Sequence, residues 1–330
     1  MGLSSTMRAL QQTSFNGPRD LRVVGDLPVP VPGADEVLVR VGAAGVNFRD
    51  VVLAYGGTAE GVRLPYVAGF EGAGEVVGVG ERVRGVEVGE MVVGVGYGAF
   101  AEFMTMAAGA VVRVPAGWTA AEALGLVVNW PTAIAALRPL GRIAAGETVL
   151  IRAAAGGTGQ AAVRVAKHWG ARVIATASVG KHEVVRGLGA DHVLDARSGD
   201  LAAEVLRLTG GEGVDVVLES VGGESFGVGL AVAKRVTGRV VAFGLAGGTA
   251  ALTNWELVYE NQIQVMGLNI GVLAQRAPEM FGEVMGELFG LIAAGVAPPG
   301  KPTVYDLADG AKALMELESG TTVGKLALVP

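Results

Sequence analysis

From Met7 to about Trp118 the chain alternates apolar and polar positions in short runs broken by Pro and Gly, as in Glu36-Val-Leu-Val-Arg-Val41 and Gly89-Glu-Met-Val-Val-Gly94. A period of two over runs this short predicts half-buried strands, so this stretch reads as an all-β domain. The period changes at Thr119: residues 120–140 have helical spacing, interrupted by Pro131, and from Glu147 strands and helices alternate. Strands are predicted over 147–154, 171–177, 192–196, 214–221, 239–244 and 263–268, with helices over 157–169, 181–188, 200–208 and 225–235 between them. Six strands with crossover helices make a doubly wound parallel sheet. The helical run 279–294 and the terminal strand 324–329 do not extend that sheet and are assigned to the first domain. The expectation is an α/β chain of two domains, one formed by 1–120 with 270–330 and the other by 121–269.

Composition agrees with this division. A chain of 330 residues is too long for one ordinary core, and 51% hydrophobic with 18% charged residues is a globular, not a disordered, composition. The 53 glycines fall mostly at the ends of Val/Ala/Ile-rich runs, where tight turns need them. A net charge of −6 with no basic cluster argues against nucleic acid as a partner. The chain has no Cys, which removes disulfides, thiolate nucleophiles and Cys-based zinc sites. The start MGLSSTMRALQQ lacks the pattern of a signal peptide, and no window reaches the roughly 18 apolar residues of a membrane span, so a cytoplasmic protein is expected.

The first strand of the alternating section runs through Ala153-Ala-Ala-Gly156-Gly157-Thr158-Gly159-Gln160 into an amphipathic helix. Glycines at a strand-to-helix turn let the backbone approach a pyrophosphate, and the helix N-terminus offers free N–H groups and partial positive charge. Gly156, Gly157, Thr158 and Gly159 are therefore the candidate phosphate loop, a plain tight turn being the alternative. About twenty residues on, an NAD enzyme places an acid at the end of its second strand. Here that strand ends Ala175-Thr-Ala-Ser178, and Ser178, Lys181 and Arg197 offer a hydroxyl and two cations instead, which favours NADPH over NADH. Lys181 as a solvated first-turn residue and Arg197 as a loop charge is the competing reading. His168, His182 and His192 carry no catalytic pattern.

Along nearly its whole length the chain resembles the medium-chain dehydrogenase/reductase superfamily, in particular its zinc-free quinone oxidoreductase and enoyl reductase branch. The resemblance lies in Gly45-Val-Asn-Phe-Arg-Asp50, Gly69-Phe-Glu-Gly-Ala-Gly74, Ala153-Ala-Ala-Gly-Gly-Thr-Gly159, Leu188-Gly-Ala-Asp191 and Gly324-Lys-Leu-Ala-Leu328. It implies a GroES-like β-barrel catalytic domain made from both chain ends, a Rossmann domain inserted between, and an active site in the cleft. Zinc alcohol dehydrogenases of the superfamily carry Cys where Asn47 stands and His where Phe70 stands, so no catalytic metal is expected. Asn47-Phe-Arg-Asp50 is similar to the enoyl reductase modules of polyketide synthases, whereas quinone reductases more often have an apolar residue in place of Arg49. The chain nevertheless reads as a discrete enzyme.

The resemblance places Asn47 beside the nicotinamide ribose or the substrate carbonyl and turns Thr132 toward the nicotinamide. It has Phe243, Gly244 and Leu245 wall the ring, and passes Ser220, Val221 and Gly222 under the adenosine ribose. Asn269 and Lys325 complete the implied cofactor contacts. Asn47 and Thr132 also suit a plain turn and a helix cap. Related enoyl reductases often hold a Tyr about eight residues beyond Asp50; Thr58 stands there, which leaves Tyr55, Tyr66 or water as the proton source. The implied reaction is zinc-independent, NADPH-dependent hydride delivery to an activated C=C, in an enoyl thioester or an enone. The alternatives are an NADPH:quinone oxidoreductase, toward which an aromatic content of only 5% does not lean, and a non-catalytic, crystallin-like NADPH-binding protein. A small-molecule substrate, no membrane partner and a homodimer joined through the edge strand 263–268 complete the expectation.

Overall fold

The computed structural model describes residues 4–57 and 61–330, so Thr58 lies outside the described residues. Two compact units emerge, one of residues 1–127 with 299–330 and the other of 128–298.

In chain order the first unit begins with β1 (Thr6–Gln12), β2 (Leu21–Pro28), β3 (Glu36–Val46), α1 (Phe48–Ala54), β4 (Tyr66–Val67) and β5 (Glu71–Val79). β6 (Met91–Val95), β7 (Phe103–Ala107), β8 (Val111–Arg113) and α2 (Ala120–Ala123) follow. The second unit runs α3 (Asn129–Ala135), β9 (Thr148–Ile151), α4 (Gly157–His168), β10 (Arg172–Ala177), α5 (His182–Gly187), β11 (His192–Asp195) and α6 (Leu201–Leu208). It continues with β12 (Val216–Glu219), α7 (Phe226–Ala231), β13 (Arg239–Ala242), β14 (Gln264–Gly267), α8 (Ile270–Arg276) and α9 (Pro278–Ala293). The chain then returns to the first unit with β15 (Thr303–Asp306), α10 (Gly310–Glu318) and β16 (Leu326–Val329).

The first unit is the GroES-like domain. Its larger sheet is ordered β15-β16-β3-β5-β6-β8, with β7 also on β3, and β2-β1-β4 form a smaller sheet. β3 is central because its alternation leaves Val37, Val39 and Val41 buried, and β16 pairs antiparallel with it from Leu326 against Val46 to Leu328 against Ala44. The closing strand therefore belongs to this domain, as its sequence implied. Leu10, Val39, Phe100, Met104, Leu314 and Leu328 make its core.

The second unit is the Rossmann domain, a six-stranded parallel sheet ordered β11-β10-β9-β12-β13-β14. Its strands are almost wholly apolar because helices cover both faces of such a sheet. Leu150, Ile174, Val217 and Val240 meet Leu201, Val205 and Leu230 on one of those faces.

Two expectations require correction. Residues 270–298 belong to the second unit, not the first. Val284, Met285, Leu288 and Leu291 give α9 an apolar stripe that packs on α3, and Glu287 pairs with Arg138. The helix expected over 120–140 is broken, though not at Pro131. Gly125 takes φ 95°, Leu124 is extended, and the chain restarts at Asn129. Pro131 falls in the first turn of α3, where a missing N–H removes no helical hydrogen bond.

Candidate functional site

In the Rossmann domain the turn after β9 carries Ala153 at φ 49°, a left-handed conformation costly for a residue with a Cβ, and delivers Gly156 as the N-cap of α4. A Cβ on Gly159 would lie 2.5 Å from the Ala153 carbonyl oxygen and 2.6 Å from the Ala154 Cα, so only glycine lets α4 seat this closely on the turn. The first-turn N–H groups of this 12-residue helix have no intrahelical acceptor, and they collect at the C-terminal edge of the parallel sheet. Thr158 Oγ1 accepts from Asn129 Nδ2 at 2.9 Å. Gly156, Gly157, Thr158 and Gly159 thus lie together at the start of α4.

β10 ends at Ala177 with Ser178 next, and no acid follows in Val179 or Gly180. Burial, and secondarily the neighbouring Arg197 cation, hold the Lys181 ammonium below its ordinary range. Two cations brought this close fit a doubly charged phosphate, so the chain's own residues suit the 2′-phosphate end of NADPH.

The segments after β12 and β13 interlock. Gly247 N donates to the Val221 carbonyl at 2.6 Å, and Gly223 N donates to that of Gly248 at 3.0 Å. Ser220, Val221 and Gly222 therefore stand beside Phe243, Gly244 and Leu245 at the same sheet edge. Sequence reasoning missed what holds this corner. Glu219, fully buried, accepts from Val221 N at 2.7 Å and Gly222 N at 3.0 Å through Oε1, and Arg152 lies 3.6 Å from its Oε2. Burial pushes the Arg152 guanidinium below its ordinary range. The signal available in the sequence was an Arg immediately before the Ala153 turn and a Glu closing an apolar strand.

Thr132 is buried and gives its hydroxyl hydrogen to the Val128 carbonyl at 2.6 Å, leaving its oxygen only as an acceptor. Asn269 caps α8, accepting from Gly271 N and Val272 N at 3.0 and 3.2 Å, which accounts for this residue without a ligand.

The GroES-like domain holds a second cluster. Asn47, at the N-cap of α1, is 8% exposed; its Oδ1 accepts from Lys325 Nζ at 2.7 Å, and its Nδ2 donates to the Gly45 carbonyl at 3.1 Å and to Glu71 Oε2 at 3.0 Å. Glu71 also accepts from Lys325 Nζ at 2.5 Å and, through Oε1, from Gly125 N at 2.5 Å. A Cβ on Gly45 would fall 2.4 Å from Glu71 Oε2, so the network depends on glycine there. Asp50 accepts from Asn47 N at 2.8 Å, and burial raises its carboxyl to about 7 against the pull of that hydrogen bond and of Lys325. Asn47 and Lys325 are thus brought together, joined by Glu71 and Asp50, which sequence reasoning quoted in motifs but gave no role. A carboxylate opening a Gly- and Val-rich strand was the clue.

Tyr55 does not join this cluster. It lies at the opposite end of α1, is 53% exposed, and bonds to Glu318, which raises its hydroxyl pKa. Tyr66 is nearer: burial and then the Asp50 carboxylate push its hydroxyl up to about 12. On the other side of α1, the Arg49 guanidinium lies 3.9 Å from the centre of the Phe70 ring and donates to Tyr97 Oη at 3.1 Å.

Comparison with known proteins places this geometry. Residues 33–116 match the alcohol dehydrogenase GroES-like domain family and residues 157–288 the zinc-binding dehydrogenase family. The Escherichia coli quinone oxidoreductase complexed with NADPH superposes with a TM-score of 0.89 at 31% identity, covering 98% of this chain and 100% of that one. The CurK enoyl reductase superposes with a TM-score of 0.88 at 32% identity, covering 99% of both. A mycocerosic acid synthase-like polyketide synthase of Mycobacterium tuberculosis is 36% identical over 302 residues, 90% of this chain, and the chain spans 14% of that relative's length.

Proposed function

The chain belongs to the medium-chain dehydrogenase/reductase superfamily, and from that premise we propose that it is a zinc-independent, NADPH-dependent reductase of an activated C=C, in an enoyl thioester or an enone. The observation that carries the substrate reading is the pair of side chains where zinc relatives hold Cys and His. Asn47 is tied to Lys325 and Glu71, and Phe70 packs under Arg49, so neither position offers the zinc ligand of those relatives. Without a Lewis acid on an isolated carbonyl, the favoured acceptor is a carbon conjugated to one, where the charge that develops is spread over an enolate.

NADPH, when bound, supplies a hydride from nicotinamide C4. The protein's part is binding, orientation and electrostatics. The first turn of α4 and Thr158 take the pyrophosphate, and Lys181, Arg197 and Ser178 take the 2′-phosphate. Both amide hydrogens of Asn47 are engaged by Gly45 and Glu71, so Asn47 is a positioning residue. The Lys325 ammonium has three N–H groups, two of them in the network, and its third is the donor that remains for a developing enolate oxygen. With Tyr55 held by Glu318 at the far end of α1, Tyr66 or solvent water supplies the proton that completes the reduction.

The runner-up is a quinone oxidoreductase, favoured by the likeness to the E. coli enzyme and by the aromatic pair Phe70 and Tyr97 with ring centres 6.1 Å apart. The test is NADPH oxidation, with NADH in parallel, against a crotonyl thioester, a simple enone and a small quinone. Thioester turnover well above quinone turnover supports the reading; quinone turnover alone replaces it with the runner-up, and tight binding without turnover replaces it with the non-catalytic one. We further propose a cytoplasmic location and a homodimer joined through β14, which ends its sheet. Among the described residues no helix is long and apolar enough to cross a membrane.

A further inference from the structure

Asn129 opens α3, and nothing in its sequence context marks it as functional. The structure lays its side-chain amide against the phosphate loop. A Cβ built on Gly157 would meet Asn129 Cγ at 3.2 Å and both its Nδ2 and Oδ1 at 3.3 Å, so the amide faces the Cα of that glycine directly. Nδ2 donates to Thr158 Oγ1 at 2.9 Å. Oδ1 is buried and has no hydrogen-bond partner among the described residues. A buried acceptor left without a donor is costly, and such groups in folded proteins ordinarily mark an absent partner.

We propose that Asn129 is a cofactor-contacting residue that accepts a hydrogen bond from a hydroxyl of the nicotinamide-side ribose. The assignment rests on the NADPH reading above and follows from donor and acceptor chemistry. Phosphate oxygens at the start of α4 are acceptors, so they leave Asn129 Oδ1 unsatisfied. The groups of NADPH next to the pyrophosphate that carry donors are the ribose hydroxyls. The adenosine-side ribose belongs to the end of β10, where Lys181 and Arg197 stand, which leaves the nicotinamide-side ribose for Asn129. The Asn129–Thr158 bond has a second effect. Because Thr158 Oγ1 accepts from the amide, its own hydrogen is directed elsewhere, to a phosphate oxygen of the same cofactor. One side chain thus satisfies the ribose and sets the Thr158 hydroxyl for the pyrophosphate.

Calorimetric titration of the full chain with three ligands tests this without any turnover. NADPH has every group. 2′-Phospho-ADP-ribose lacks the nicotinamide but keeps the pyrophosphate and second ribose, and 2′,5′-ADP lacks all three. Asn129→Leu is expected to weaken NADPH and 2′-phospho-ADP-ribose by about 3- to 10-fold, the net loss of one hydrogen bond, and to leave 2′,5′-ADP unchanged. Asn129→Ala, which adds no bulk beside Gly157, gives the same pattern, and retained 2′,5′-ADP affinity shows that the domain is folded. An unchanged NADPH affinity in both variants overturns the assignment, as does an equal loss for all three ligands, which marks a general disturbance of the loop. Failure of the wild-type protein to bind any of them overturns the NADPH reading itself, and the inference with it.

Discussion

A carboxylate with no exposed surface, Glu71, opens a barrel strand and is satisfied by three donors: the Lys325 ammonium, the Asn47 amide and the Gly125 N–H. Each partner comes from a different part of the chain, so the network fixes where α1, the Gly125 turn and the closing strand meet. Lys325 is the only cation in it, and removing one member of a buried ion pair leaves the other's charge uncompensated. Lys325→Met is therefore expected to destabilise the protein by about 3–5 kcal/mol in urea unfolding, and adding Glu71→Gln to recover most of that loss. A double variant no more stable than Lys325→Met alone would show that the two residues do not act as a pair. This grouping was only half legible in the sequence. Asn47 and Lys325 were marked by motif, but their partner at position 71 looked like one residue of a Gly-rich run, because spacing along a chain does not report contacts across 254 residues.

At the scale of elements, the β/α alternation was readable because parallel strands buried on both faces are nearly continuous apolar runs bounded by Gly. What escaped were pieces whose place depends on packing. α9 has an apolar stripe that any neighbouring surface would satisfy, and only its fit on α3, with Glu287 beside Arg138, assigns it to the Rossmann domain. The break between α2 and α3 comes from Gly125 at φ 95°, a backbone choice that helical spacing conceals. β14 ends its sheet, and its pairing decides which groups it shows. Gln264 N and Leu268 N donate to the Gly238 and Ala242 carbonyls, so the N–H groups of Val265 and Gly267 point away from β13. If two copies join through this edge, Val265→Pro removes an outward N–H without touching the β13 ladder and yields a monomer by light scattering where the wild type is a dimer. A variant that remains dimeric would place the subunit contact elsewhere.

For the whole molecule, two separate sets of residues carry the account. The Rossmann domain supplies a Gly-rich helix start after β9, with Lys181 after β10 and Arg197 after the neighbouring β11, a pattern visible in the sequence because it is local. The GroES-like domain supplies a polar network of Asn47, Glu71 and Lys325, built from both chain ends. Together they describe a reductase that relies on orientation and a fixed ammonium. In such a reductase the hydride goes to carbon, and the atom itself can be followed. NADPH carrying deuterium at both C4 positions is incubated with the enzyme and a crotonyl thioester, and the product is examined by mass spectrometry and NMR. The account predicts a saturated thioester with one deuterium on its β-carbon. A thioester recovered unreduced, while the same preparation passes deuteride to a quinone, would contradict it.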